Sequence, residues 1–137
     1  RRRYAERVLS GKANISYSFK GQVDREEIYR YYSLNEVNAY ILLSYQEGLS
    51  VASMEALAHG LVIITNDSGG SPETIRGNGF LLPEFPKPSE VKMAIDSLKC
   101  MPRDKYVDMR NNSFKLWCDD FDVEKNIKEF EHYLETV

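Results

Sequence analysis

Two glutamates eight positions apart, Glu47 and Glu55, are the residues best placed to do chemistry; both lie in SYQEGLSVASMEALAHG, residues 44 to 60. Glu47 follows the abrupt end of the apolar run 39–43. Glu55 stands in an alanine-rich segment whose only other ionisable group is His59. A carboxylate can accept two hydrogen bonds from a vicinal diol such as a ribose, and charge-assisted bonds of this type contribute roughly 1.5–3 kcal/mol each. A helix starting near Ser50 would leave the backbone N–H groups of Leu49, Ser50 and Val51 unpaired. With the helix dipole, those donors suit an anion such as a diphosphate. Gly48 lets the backbone come close without a side chain in the way. Glu55 then sits roughly 8 Å further along the axis, from a rise of 1.5 Å per residue. The two glutamates would thus bracket one ligand, with a phosphate held between them by backbone donors. Spacing alone leaves plainer readings open. Glu47 can be an ordinary first-turn acid, and Glu55 the solvated side of an amphipathic helix. The neighbours Ala52, Met54, Ala56, Leu57 and Ala58 argue for burial of Glu55, and a buried charge needs a partner.

These residues need elements to position them, and strand and helix signals alternate along the chain. Residues 39–43 and Leu61-Val62-Ile63-Ile64-Thr65 are continuously apolar, as expected of parallel strands covered on both faces. Residues 50–59 are helical by composition, with His59 read as a C-terminal cap. Ile15, Tyr17 and Phe19 alternate with polar residues up to Gly21, which is a strand pattern. Asp24 and Glu27 form a box-like cap for a helix whose inner face is Ile28, Tyr31 and Tyr32, with Val23 and Ile28 spaced as a hydrophobic staple. Ser71, with Pro72 behind it, is expected to cap a short helix. A short strand follows at Phe80-Leu81-Leu82. Residues 2–10 and 104–117 read as helices. Val91, Ala94, Ile95 and Leu98 form an apolar stripe, as do Val123, Ile127, Phe130 and Leu134. The pattern is α/β: a Rossmann-like, doubly wound parallel sheet. In such a sheet ligands bind outside the carboxyl ends of the strands, where Glu47 and Gly48 fall.

The 137 residues amount to one domain, with 42% apolar and 28% charged residues, ordinary for a globular protein. A net charge of −3 provides no electrostatic footprint for nucleic acid. Arg1-Arg2-Arg3 is a local basic cluster, read as a solvated helix start in preference to a membrane or phosphate contact. No apolar run approaches the ~20 residues that span a bilayer, and no signal-peptide pattern is present. Cys100 and Cys118 lack metal-type spacing and read as reduced thiols of a cytosolic protein. The chain does not open on methionine and begins in a helix pattern, so it is expected to be a piece of something longer.

The segment EGLSVASMEALAHGLVIITNDSGGSPETI, followed by NGFLLP, resembles the nucleotide-sugar-binding half of group 1 glycosyltransferases, retaining enzymes of GT-B fold. Glu47 and Glu55 match their E-x7-E motif. Upstream, FKGQVDREEIYRYY is similar to the family's preceding strand-loop-helix, so the likeness covers about residues 14 to 83. The helical tail, about 89–137, fits in type without carrying a motif. The resemblance implies that Glu47 faces the donor sugar and helps orient its anomeric carbon. It implies that Glu55 holds the ribose, that the amides of Leu49, Ser50 and Val51 meet the diphosphate, and that main-chain groups near Gln22 and Val23 lie beside the base. No metal is implied, because dipole and amides neutralise the leaving diphosphate. Gly69-Gly70 and Glu73 match the family's glycine pair and following acid; for Glu73 a helix-start charge is an equal reading.

There are departures. Ser50 stands where proline is common, and Leu61-Val62 replaces the usual proline before the next strand. The family's arginine and lysine that stabilise the departing diphosphate lie on an earlier segment absent from this chain, as is the acceptor-binding domain. Residues 1–137 are therefore expected to be an incomplete donor-binding domain, truncated on its N-terminal side and inactive alone. The whole enzyme would be a cytoplasmic hexosyltransferase acting in bacterial surface polysaccharide or glycoconjugate synthesis. Its partners would be a nucleotide-sugar donor and the missing N-terminal domain, with any peripheral contact to the inner face of the membrane made through the full-length protein. In the family's sheet, two earlier strands separate residues 15–19 from residues 39–43. Without them the segment must pair directly, find another chain or stay poorly ordered. The rival readings are a non-catalytic nucleotide- or phosphosugar-binding module and a sugar-nucleotide epimerase of the same fold.

Overall fold

The computed structural model of the chain describes residues 2–136; Arg1 and the side chain of Arg2, from the basic cluster, lie outside it. Three strands, β1 (Ala39–Leu42), β2 (Val62–Asn66) and β3 (Gly79–Leu82), form a parallel sheet in the order β1-β2-β3. The register pairs Ala39 with Val62 and Ile63 with Gly79. Gly79 is required at that register, because a Cβ there would stand 1.9 Å from the carbonyl oxygen of Ile63.

β2 is buried along its whole length. Its alternate side chains feed two cores. Ile63 packs with Ala56, Leu57 and Leu61 and with Leu116 of α5 (Arg103–Leu116). Ile64 packs on the other face with Leu82 and with Ala94 of α4 (Pro88–Lys99). Helices on both faces of a continuously apolar central strand are what the doubly wound reading requires. Each fully buried Leu or Ile stabilises by about 1.5–3 kcal/mol relative to exposure.

α3 (Val51–Ala58) crosses from β1 to β2. It ends where Gly60 takes a φ of +62°, with Gly60 N–H donating to the Leu57 carbonyl and Leu61 N–H to that of Ala56. α5 docks on that end: Arg110 Nε donates to the Gly60 carbonyl at 2.8 Å and Ser113 Oγ to that of Leu61 at 2.6 Å.

Residues 15–19 do not form the expected strand. No strand is formed there, and Ile15, Tyr17 and Phe19 remain 45%, 44% and 39% exposed. Alternation suits a half-buried face, but a strand exists through ladder bonds to a neighbour, and among the described residues the sheet contains only β1, β2 and β3. β1 departs from expectation for the same reason. It is an edge of the sheet, so Ile41 and Leu43 are exposed where two-sided cover was expected.

The remaining elements are α1 (Arg2–Leu9), α2 (Arg25–Leu34), a 3-10 turn at Ser71–Thr74, a π turn at Trp117–Phe121 and α6 (Val123–Thr136). Asp24 is the N-cap of α2, yet its side chain makes no cap bond; its carbonyl accepts from Glu27 and Ile28 instead. On that helix Tyr32 packs against the first core, whereas Tyr31 is exposed. Gly70, not Ser71, precedes the 3-10 turn, and the Ser71 hydroxyl is buried without a hydrogen-bond partner. Within α4 only Ala94 of the predicted stripe is buried, and the stripe on α6 is exposed. The short chain has too few layers to cover every apolar face.

Candidate functional site

The loop leaving β1 carries Glu47 and Gly48 and delivers the chain to α3. Its end is fixed by Asn66, the last residue of β2, which is buried. Asn66 Oδ1 accepts from Ser44 N–H at 3.0 Å, and its Nδ2 donates to the carbonyls of Ser44 at 2.8 Å and Glu84 at 2.7 Å. One amide thus ties together the carboxyl ends of all the strands. Glu47 is half-buried and accepts a bond from Ser44 Oγ at 3.0 Å. Its main chain is pressed by the Gly69-Gly70 loop, where Gly70 N–H donates to the Glu47 carbonyl at 3.3 Å. Gly69 has a φ of +54°, and a Cβ there would lie 1.7 Å from the Glu47 carbonyl oxygen. Glycine is needed on both counts.

Ser50 is the N-cap of α3, its hydroxyl accepting from Ser53 N–H at 3.4 Å. The helix begins at Val51, so the free first-turn donors are those of Val51 and Ala52. Of the three expected amides, Leu49 and Ser50 thus precede the helix and Val51 is its first residue, so the first turn starts later than the sequence suggested. Tyr40 of β1 lies beneath this end. Burial pushes its phenol above the ordinary value, while hydrogen bonds with the Ser50 and Ser53 hydroxyls pull the other way. The charges of Glu47 and Glu55 add to the upward push, which places both glutamates near one phenol.

Glu55 is 9% exposed, as its apolar neighbours suggested. Its charge is met by α2, where Arg25 Nε lies 2.8 Å from Oε1 and Tyr29 OH donates to the same oxygen at 3.4 Å. The Arg25 guanidinium also sits over the Tyr29 ring, 5.1 Å from its centroid, and the Tyr29 hydrogen bond is the largest influence raising its pKa. His59, at the C-cap of α3 as expected, completes the group: its Nδ1 is 2.8 Å from the Glu55 carbonyl and its ring is 5.2 Å from that of Tyr29. Arg25, Tyr29, Val51 and Glu55 line an open cavity of about 650 Å³ together with Trp117 and Phe121.

Gln22 and Val23 line a separate depression of about 700 Å³ along α2, with Tyr31 and Tyr32. The predicted residues thus fall in three places, the Glu47 loop, the Glu55 cavity and the Gln22-Val23 shelf just before α2, and the two depressions share no lining residue. Glu73 is exposed on the 3-10 turn. Sequence reading missed Arg25, Tyr29 and Asn66. The first two are an i, i+4 pair, which signals a helix surface until α3 is laid against it. Asn66 was detectable as an amide closing a buried apolar strand, where its polar atoms must find partners.

Residues 2–116 match the family described as "Glycosyl transferases group 1". The chain belongs to the group 1 glycosyltransferase family. Relatives include spore coat protein SA of Bacillus subtilis (strain 168), 35% identical over an alignment covering 56% of this chain and 20% of that protein. Another is the amylovoran biosynthesis glycosyltransferase AmsK of Erwinia amylovora, 41% identical with the same coverage of each. Among solved structures, a sucrose-phosphate synthase from Thermosynechococcus elongatus superposes with a TM-score of 0.78 over 98% of this chain and 34% of that one, at 23% identity. That likeness establishes the GT-B, Rossmann-like fold of this glycosyltransferase domain. The alignments to the curated relatives span about a fifth of each relative's length. Among the described residues no helix is long and apolar enough to cross a membrane, and no group of three or more His, Cys, Asp or Glu side chains is placed to hold a metal ion.

Proposed function

We propose that this glycosyltransferase domain is the donor-binding part of a retaining enzyme that transfers a sugar from a nucleoside diphosphate sugar. The observation that carries this is the Glu55 carboxylate, buried in a cavity one turn behind an amide-rich helix start. A ribose accepted at Glu55 directs its diphosphate toward the free amides of Val51 and Ala52, and the sugar beyond it toward Glu47. Gly48 supports the same direction. A Cβ added there would meet nothing within 4 Å, so the fold itself does not demand glycine. A glycine beside open space is a place where an outside group can approach the backbone. Gln22 and Val23 lie two to three residues before Arg25, within reach of a base attached to that ribose.

Neutralising the leaving diphosphate by amides and helix dipole requires no metal. On this reading the acceptor is held by a separate domain and the basic groups that assist departure by another segment of the full enzyme, so residues 1–137 bind donor without turning it over. The setting proposed is surface polysaccharide synthesis on the cytoplasmic side of the membrane; one relative being described as a biosynthesis glycosyltransferase supports the biosynthetic part of that reading. A binding-only role is the second reading, favoured by one relative being described as a coat protein.

Ligand-observed NMR with UDP, GDP and ADP tests the proposal. Saturation transfer to the ribose and base of one nucleotide, lost in Glu55→Ala, supports it and names the base. A Kd near millimolar, about −4 kcal/mol, is expected for half a cleft. A folded chain that binds none of the nucleotides refutes it.

A further inference from the structure

The partners of Glu55 leave its two oxygens unequal. Arg25 Nε at 2.8 Å and Tyr29 OH at 3.4 Å both address Oε1. Among the described residues no hydrogen bond to Oε2 is formed, Oε2 is not one of the buried side-chain atoms left without a partner, and Glu55 lines the open cavity. The carboxylate is held within the protein by one oxygen and offered outward by the other.

We propose that Arg25 and Tyr29 are positioning residues for Glu55, fixing its carboxylate so that Oε2 is presented to the vicinal hydroxyls of a ribonucleotide. The inference rests on the donor-binding reading and goes beyond it by naming what makes the site selective for ribose. A free glutamate side chain turns about its terminal bond, and ordering it costs rotamer freedom when the ligand arrives. Here that ordering is done beforehand. The Tyr29 ring is wedged between the Arg25 guanidinium and His59, at 5.1 Å and 5.2 Å. His59 in turn is bonded to the Glu55 main chain at 2.8 Å. The support therefore runs from α2 to α3 and back to the residue it orients. Arg25 is itself 68% exposed. The guanidinium need not leave Glu55 for a ribose to bind, because Arg25 Nε lies against Oε1 and the diol would use the other oxygen.

Titration of the chain and its variants with UDP, GDP and ADP, each beside its 2′,3′-dideoxy counterpart, tests this. The readout is the ratio of the two affinities, which a general loss of stability or of positive charge does not move. Wild type should prefer the ribose form about tenfold, as loss of paired charge-assisted bonds implies. Glu55→Gln should lower that preference to about twofold, since a neutral acceptor makes the weaker bond. Arg25→Gln should cut it about threefold, Arg25→Lys should restore most of it, and Tyr29→Phe should cost about twofold. Far-UV circular dichroism and thermal unfolding establish that each variant is folded. An unchanged ratio in Arg25→Gln overturns the positioning role, even if both affinities fall together. A tighter ribose form in that variant also overturns it, by showing that Arg25 competes with the ligand. If Glu55→Gln keeps the wild-type ratio, it is the assignment of ribose to Glu55 that fails. If wild type binds none of the nucleotides, both fall.

Discussion

Glu47 and Glu55 present the same carboxylate on two kinds of support. Glu55 is sunk in a helix and held by side chains from another element, Arg25 and Tyr29. Glu47 is half-exposed, and among the described residues its side chain bonds only to Ser44, three residues away. Its place is set through the main chain, by the Gly69-Gly70 loop pressing on its carbonyl and by Asn66 fixing the strand end before it. On the proposed donor-binding reading, Glu55 grips one rigid feature of the ligand and gains from side-chain support, and Glu47 meets the variable sugar and gains from a fixed backbone and a side chain free to adapt.

The sharpest way to break the comparison is at the backbone support. Gly69→Ala puts a Cβ into the Glu47 carbonyl at a positive φ, and should cost about 3 kcal/mol, read as a lowered urea midpoint. Glu55 and its partners should keep their chemical shifts in that variant if the two supports are independent. Asn66→Asp comes next. It preserves shape but faces an acceptor toward the carbonyls of Ser44 and Glu84, for an expected loss of about 2 kcal/mol. Smaller again is Arg25→Gln, a slight fall in the urea midpoint because the guanidinium is largely exposed. Ser44→Ala should fall within about 0.5 kcal/mol. If it costs as much as Asn66→Asp, Glu47 is held by its side chain after all.

Alkaline unfolding sharpens the comparison where the two supports meet. Burial, chiefly, raises the phenols of Tyr32 and Tyr40 above the ordinary value of 10.0. Such phenols ionise more readily in the unfolded chain. Their contribution is therefore full below pH 10 and is lost as pH rises through the raised folded values. Tyr40→Phe should flatten the fall in thermal midpoint above that pH.

The centre of the fold was legible because β2 is apolar on both faces, a pattern that only a covered parallel strand needs. Burial of Glu55 was legible from the alanines around it. Residues 15–19 misled because alternation describes a face and says nothing of the neighbour that supplies the ladder. Ser71 misled for a related reason. Its type suits a cap, but the tight Gly69-Gly70 turn takes the cap position one residue earlier. Arg25 and Tyr29 were invisible as site residues, since their meaning depends on how α2 lies against α3.

The central position of β2 also bears on how the chain acquires its shape. Ala39 pairs with Val62 and Ile63 with Gly79, so both halves of the sheet close over modest stretches of sequence. Such closures are entropically cheap and quick compared with distant pairings. α5 then arrives from further along, when Ser113 bonds the Leu61 carbonyl and Leu116 joins the core. A nascent chain released before α5 emerges would hold the three strands with one face covered by α3 and not yet by α5, and would become a settled structure only once that helix lands.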